Sequence, residues 1–357
     1  MATLRSFPKR LFALGGALSL PPGEWQTWLP FGRALVSAAA PRRFAAGKNA
    51  LRSILAQALP AWRRLLDGAG LDGMLREDGH FVVWESLASA VRGKARWAAT
   101  DTGETRFREL TGDELAGLQA LTSTSLAGGI CFEGSGQIAD LGLLEQGLCA
   151  RLEGLGGERR LGEAAEIVKR DGGVLVRLAD GGSVTGEITV VAAGAASARL
   201  LQSHGHRVPL IAERGYHIQS PVEEREWPAD TPPVVFEDRS MIVTRFRSGL
   251  RAASFVEFAS AARPPDARKW KRLRQHAAAL GLPLADSPAE WMGARPTLPD
   301  YLPAIGVSPE LPGLFYAFGH QHLGLTLAAC TAEAIGAIAV GEAPPFPLEP
   351  FDLARFG

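Results

Sequence analysis

The sequence predicts a two-domain α/β protein whose second domain is α+β, on three observations. The chain has 357 residues, more than one ordinary core organises and a comfortable length for two domains. Residues 188–193, Ile-Thr-Val-Val-Ala-Ala, form a continuous apolar run that breaks at Gly194 into a helical pattern; such runs belong to buried, parallel strands. Residues 207–260 are instead dense in short strand patterns, "VPLIAERGYHIQ", "PPVVFED", "SMIVTRF" and "RAASFVEFA", which reads as one antiparallel sheet in a separate module.

The remaining elements follow in order. "RSFPKRLFALGGALSLPP" sets Arg5, Lys9 and Arg10 before an apolar stretch at 11–20, an arrangement that resembles a short secretory signal. No small-x-small cleavage site follows and Pro21-Pro22 closes the run, which favours an ordinary internal segment. Residues 23–70 read as helices: Trp25, Trp28, Leu29, Leu35 and Val36, then Leu51, Ile54, Leu55, Leu59, Trp62 and Leu66, recur at helical spacing. "HFVVWES" is a strand, and "RFRELTGDELAGL" steps from strand to helix with Thr111 as N-cap and Glu114 three residues on. Residues 141–155 read as an amphipathic helix. "AAEIVKRDGGVLVRLADGG" is a hairpin around Asp171-Gly-Gly. "PPDARKWKRLRQHAAALG" is a helix with Trp270, Leu273, Ala277 and Leu280 on one face and Arg268, Lys269, Lys271, Arg272 and Arg274 on the other. That basic face reads as solvated; contact with anionic lipid headgroups is the alternative. A proline-punctuated loop then leads to a strand at 314–318, a glycine turn with two histidines, and an apolar helix over 325–340.

Composition narrows the function. Thirty-eight basic residues balance 38 acidic ones, without the basic surplus of a dedicated nucleic-acid binder, so no nucleic-acid partner is expected. Cys131, Cys149 and Cys330 are odd in number and lack C-x-x-C spacing, which argues against a disulfide framework, against structural zinc, and for a reducing compartment with buried thiols. No run reaches the roughly 18 to 20 apolar residues of a membrane span. Phosphate-loop, hydrolase-elbow and zincin motifs are absent, and no metal ligands are predicted.

Three stretches invite a ligand. "CFEGSGQIADLG" carries Gly134 and Gly136, but only Ile130 and Phe132 precede them as apolar strand residues, Ala139 fills the third glycine position, and the next strand ends in Lys169-Arg170 without the acidic ribose ligand. It reads as a loop feeding a helix. In "FGHQHLGLTLAAC", Gly319 and Gly324 permit close backbone approach, and a helix N-terminus there presents unpaired N–H groups and a positive dipole end to an anion; a plain turn with surface histidines is the alternative. Arg295, between Gly293 and Pro296, could fork onto a carboxylate or lie on the surface.

Taken in order, "ERGYHIQ", "ITVVAAGAASARLL", "GARPTLPDYLPAIG" and "FGHQHLGLTLAACTAEAI" resemble the FAD-dependent D-amino-acid dehydrogenases, within the D-amino-acid oxidase and glycine oxidase family. The resemblance spans nearly the whole chain. It implies a two-domain FAD-dependent oxidoreductase fold, with a discontinuous FAD domain at 137–205 and 292–357 and a substrate domain at 1–136 and 206–291. It implies oxidation of a D-amino acid, with the cyclic D-proline type among the candidates, to its imine by hydride transfer to the flavin. Arg295 would clamp the substrate carboxylate, with Tyr216 and Tyr301 as hydroxyl donors or lid and His322 near the substrate. Ala165, Ala193, Gly194, Ala195, Gly293, Gly319, His320, Gln321, His322, Leu323, Gly324, Leu325 and Thr326 would contact the FAD. The implied partners are an amino acid and a quinone or other electron acceptor; the implied location is cytoplasmic or peripheral on the inner membrane face. An oxidase that makes hydrogen peroxide, and a non-catalytic or partner-binding remnant, are the alternatives. The family's opening βαβ unit with G-x-G-x-x-G has no counterpart in this sequence. The expectation is therefore a late start or a truncated chain that folds poorly, exposes the site of a missing strand, and binds FAD weakly or not at all.

Overall fold

A computed structural model describes residues 10–357. Arg5 and Lys9 of the signal-like segment lie outside the described residues. In chain order the first elements are β1 (Leu18–Ser19), α1 (Trp25–Ala38), α2 (Pro41–Ala69), β2 (Leu75–Arg76), β3 (His80–Trp84), α3 (Leu87–Ala98), β4 (Phe107–Glu109), α4 (Gly112–Ala120), β5 (Gly128–Phe132), β6 (Gln137–Ile138) and α5 (Leu141–Gly154). There follow β7 (Ala164–Arg170), β8 (Gly173–Leu178), β9 (Ser183–Gly186), β10 (Thr189–Val191), α6 (Ser197–Gln202), β11 (Ile211–Ser220), β12 (Val234–Phe236), β13 (Met241–Phe246) and β14 (Gly249–Ala259). The chain closes with α7 (Ala267–Leu280), β15 (Ala289–Thr297), β16 (Ala304–Val307), β17 (Leu314–Phe318) and α8 (Gly324–Ala339).

Local chemistry explains the boundaries. Gly70, in the left-handed region at φ 66°, ends α2, as its position after the apolar pattern predicts. Thr111 and Glu114 form the expected capping box on α4. In the "GSGQIAD" stretch Gly134–Gly136 belong to the turn between β5 and β6, Gln137–Ile138 is β6 itself, and Asp140 caps α5 through the Leu143 N–H. It is a loop feeding a helix, as read from sequence.

Among the described residues there are four sheets, two of which bear on the site. The large sheet runs β15-β11-β14-β13-β12-β3-β5-β4. It is mixed and not purely antiparallel, because β12 pairs β3 in parallel and β1 joins β14 in parallel. β15 pairs with β11 from Ile211↔Thr297 to Gln219↔Ala289, so residue 292, where a domain change is expected, lies inside a strand of the large sheet. The smaller sheet is β10-β17-β16, with β10 parallel to β17 as predicted. The expectation that 188–193 is buried throughout fails. Val191 is buried, yet Ile188 is 46 % and Val190 42 % exposed, because β10 is an edge strand among the described residues.

Apolar packing ties two helices together. α2 lies along α8, joining Ile54, Ala58, Ala61 and Trp62 to Leu327, Cys330 and Ala334 in one core. Gln321–Ala339 is long and apolar enough by length and composition to cross a membrane, which the sequence reading had not picked out; in this structure one of its faces is packed into that core.

Two further expectations are corrected. Lys269 is not on a solvated face but fully buried, its Nζ 2.7 Å from Glu257. Lys269, Leu273, Ala277 and Leu280 share the buried stripe of α7, and the carboxylate supplies the charge partner that lets a lysine join it. Of its basic neighbours, Arg268 pairs with Asp266 and Arg274 with Glu290, while Arg272 donates to the Phe12 and Gly16 carbonyls. Cys131 and Cys330 are buried, but Cys149 is only half-buried.

Candidate functional site

The site is assembled where β11 and β15 run side by side. Side chains on a strand alternate between faces, and the register places Glu213 opposite Arg295, Gly215 opposite Gly293, and His217 opposite Trp291. These six positions share one face. Arg214, Tyr216 and Ile218 point the other way.

Glu213 is 4 % exposed at its side chain and Arg295 31 %. Arg295 Nη1 lies 3.3 Å from Glu213 Oε1 and 3.3 Å from the Phe255 carbonyl. Thr297 Oγ1 and Tyr301 OH donate to Glu213 Oε2 over 3.3 and 3.4 Å. The Trp291 ring stacks on His217 at 4.8 Å and is 55 % exposed, so an aromatic wall extends from the charged pair toward solvent.

Backbone strain concentrates here. Phe255, Tyr301 and Gln321 have φ of 71°, 60° and 50°, a left-handed conformation that costs a non-glycine residue about 1–3 kcal/mol and tends to persist at functional sites. Gln321 Nε2 donates to the Tyr301 carbonyl, linking two of the strained residues. Thr297 bridges to His320, which fixes the end of β15 against the turn that enters α8.

The second half of the site lies at the carboxyl ends of the parallel strands β10 and β17, the usual ligand edge of an open α/β sheet. Ala193, Gly194 and Ala195 leave β10; Gly319, His320, Gln321, His322 and Leu323 leave β17; Gly324, Leu325 and Thr326 open α8. Gly194 has φ 55° and open space where a side chain would stand. The α8 N-terminus has no side-chain cap, and Leu325 and Thr326 are exposed. The buried Ser197 Oγ and Gln321 Oε1 have no hydrogen-bond partner. Uncapped N–H groups and an approachable backbone suit the acceptors of a large anionic cofactor, and the orphaned Gln321 Oε1 suits a donor on it; in this respect the residues fit FAD.

The environment sets the proton states. His320 donates to or accepts from Thr331 Oγ1 at 3.0 Å, and burial lowers its pKa to about 4. Burial also lowers His322, with Glu213 pulling it up and Arg295 down, while the residue keeps solvent-exposed surface. Burial first, then Glu213, pushes the Tyr301 phenol above its usual range.

Arg295, Tyr301 and His322 are thus brought together. Tyr216 is not: its hydroxyl donates to Glu257 Oε2 at 2.7 Å on the opposite face of the sheet, and burial pushes its pKa up to about 12. Strand parity separates it from Arg295. Ala165 sits at an irregularity of β7 in the separate β7-β8-β9 sheet. Gly293 lies mid-strand under Trp291 and not in the cofactor turn. Sequence reasoning missed Glu213, His217 and Trp291; the signal for Glu213 was a charge inside an otherwise apolar strand pattern flanking "RGYH". An open cavity of about 650 Å³ lined by Phe12, Arg263, Arg268 and Arg272 adjoins α7, on Tyr216's side of the sheet and remote from this chemistry.

Comparison with known proteins agrees with this architecture. The fold is the mixed α/β, two-domain fold of FAD-dependent oxidoreductases: glycine oxidase from Geobacillus kaustophilus superposes with a TM-score of 0.70 at 23 % identity, covering 89 % of this chain and 84 % of that one. L-proline dehydrogenase from P. horikoshii superposes with 0.68 at 16 % identity, covering 85 % and 82 %. The family model described as DAO, FAD dependent oxidoreductase, matches residues 22–338, and the chain belongs to that family. It is 30 % identical to D-amino acid dehydrogenase 2 of Pseudomonas aeruginosa over 91 % of this chain and 77 % of the relative. It is 29 % identical to a D-amino-acid oxidase of Bradyrhizobium diazoefficiens over 86 % and 73 %. The cofactor of this family is FAD.

Proposed function

We propose that the protein oxidises a D-amino acid, of which the cyclic D-proline type is the first to test, to its imine. The observation that carries this reading is the meeting of the Arg295–Glu213 face with the uncapped α8 N-terminus through the Thr297–His320 bridge. The named activities of the sequence relatives support it.

A bound FAD would supply the acceptor for the hydride of the substrate α-carbon. The chain's own residues supply the rest. Arg295 offers a planar fork to the substrate carboxylate, and its partial exposure leaves room for a ligand. The α8 N-terminus at Gly324, Leu325 and Thr326 favours negative charge beside it. Ala193, Gly194 and Ala195 meet the dinucleotide through their backbone. Tyr301, held protonated, donates a hydrogen bond and does not act as a base. His217 and Trp291 give an apolar wall for the substrate side chain and shed water from the site. Chemistry of this kind rests on positioning more than on acid–base groups, because the cofactor carries the hard step.

The test is turnover of the FAD-loaded protein with a dye acceptor against D- and L-amino acid panels, with oxygen uptake in parallel. D-selective dye reduction supports the reading; activity confined to L-amino acids contradicts it. Dye reduction without oxygen uptake points to a dehydrogenase feeding a quinone or similar acceptor, and oxygen uptake to an oxidase.

A further inference from the structure

Arg295 and Glu213 are cross-strand partners with opposite charges on one face. An amino acid also carries opposite charges, on a carboxylate and an ammonium group one carbon apart. A site built only for a carboxylate has no need of a buried acid beside its arginine, and that acid would repel the ligand. Resting on the function proposed above, we propose that Glu213 faces the substrate nitrogen and takes its proton before oxidation.

The geometry favours this. The three groups that donate to Glu213 are at 3.3 to 3.4 Å, longer than the ~2.7–2.9 Å of a strong charge-assisted bond. A carboxylate has about four acceptor positions, so Glu213 has room for a short bond to an ammonium N–H. An imine forms only from a nitrogen with a free lone pair. In the step, one substrate N–H bond breaks, its proton forms an O–H bond on Glu213, and the electron pair stays on nitrogen. The titratable and charged groups facing Glu213 are Arg295 on β15, Tyr301 in the following loop and His322 in the turn before α8. Arginine cannot take the proton, and Tyr301 keeps its own. His322 is the one competing acceptor.

The experiment is the pH dependence of anaerobic reduction by D-proline in FAD-loaded wild type, Glu213→Gln, His322→Gln and Arg295→Met. Calorimetric binding of D-proline and of cyclopentanecarboxylate, the same ring without nitrogen, accompanies it. In wild type the rate is expected to be nearly flat from pH 6.5 to 8.5. In Glu213→Gln it falls ~100-fold or more at pH 7, the scale of general base catalysis, and regains tenfold per pH unit as solution supplies free amine. Glu213→Gln keeps cyclopentanecarboxylate binding within about twofold or tightens it, while D-proline binding weakens. A wild-type rate that already climbs tenfold per pH unit overturns the proposal, and needs no variant to fold. So does a profile moved by His322→Gln and not by Glu213→Gln. Cyclopentanecarboxylate binding that is absent, or indifferent to Arg295→Met, refutes the carboxylate site itself and with it the function proposed above.

Discussion

Gly215 lies directly under the guanidinium of Arg295: a Cβ at position 215 would stand 2.2 Å from Nη2 and 2.5 Å from Cζ. The glycine is the space in which the arginine is held.

Gly215→Ala therefore separates fold from function. The atom displaced is the far end of a flexible side chain, so the folding cost is expected to be under about 1 kcal/mol. A guanidinium moved by about 1 Å is expected to lower kcat/KM on the order of 100-fold. Thermal unfolding and steady-state kinetics on the same preparation check both halves.

Arg295→Lys keeps the charge and loses the planar fork. The carboxylate is held in ground and transition states alike, so KM is expected to rise about 10- to 100-fold with a smaller change in kcat. An unchanged KM would remove Arg295 from the substrate site.

The buried network behind the sheet predicts an asymmetry in stability. Glu257 lies 2.7 Å from Lys269, 3.6 Å from Arg214 and 3.8 Å from Arg263. Lys269→Met leaves the carboxylate two other cations. Glu257→Gln leaves the buried Arg214 with no carboxylate and Lys269 with Asp266 alone at 3.2 Å, and is expected to cost about 3–5 kcal/mol, the scale for breaking a buried ion pair from one side. Urea midpoints should rank wild type above Lys269→Met, and Lys269→Met above Glu257→Gln.

Acid stability follows from two histidines. Burial lowers His217 and His320 to about 4, with Arg251 a lesser contributor for His217. The unfolded chain, at about 6.5, binds these protons more readily than the folded one. Their contribution is thus fully present above pH 6.5 and is lost as pH falls toward 4. Chemical denaturation at pH 7 and pH 5 is expected to show lower stability at pH 5, and a His320→Gln variant to show a shallower loss.

Much of this was legible in the sequence. A parallel strand within 188–193, the turn before α8 and the Thr111–Glu114 cap rest on local patterns and stand in the structure, though the strand is shorter, Thr189–Val191, and more exposed than expected. What was not legible depends on pairing. Tyr216 sits one residue beyond Gly215, and that single step turns it to the opposite face; only the β11–β15 register shows that Glu213 and not Tyr216 meets Arg295. Lys269 has the look of a surface charge until Glu257, on the preceding strand β14, is placed against it. The exposed face of β10 likewise depends on which strands flank it, which periodicity cannot say.

On the function proposed above, the Arg295–Glu213 face presents an amino acid to a flavin at the α8 N-terminus. The measurement to make is anaerobic titration of the FAD-loaded protein with D-proline and D-alanine, read as the absorbance of the oxidised flavin. Bleaching by a D-amino acid is expected in wild type, with at least a 100-fold slower response in Arg295→Met. Bound flavin that dithionite bleaches but no D-amino acid does, or bleaching indifferent to Arg295, would contradict it.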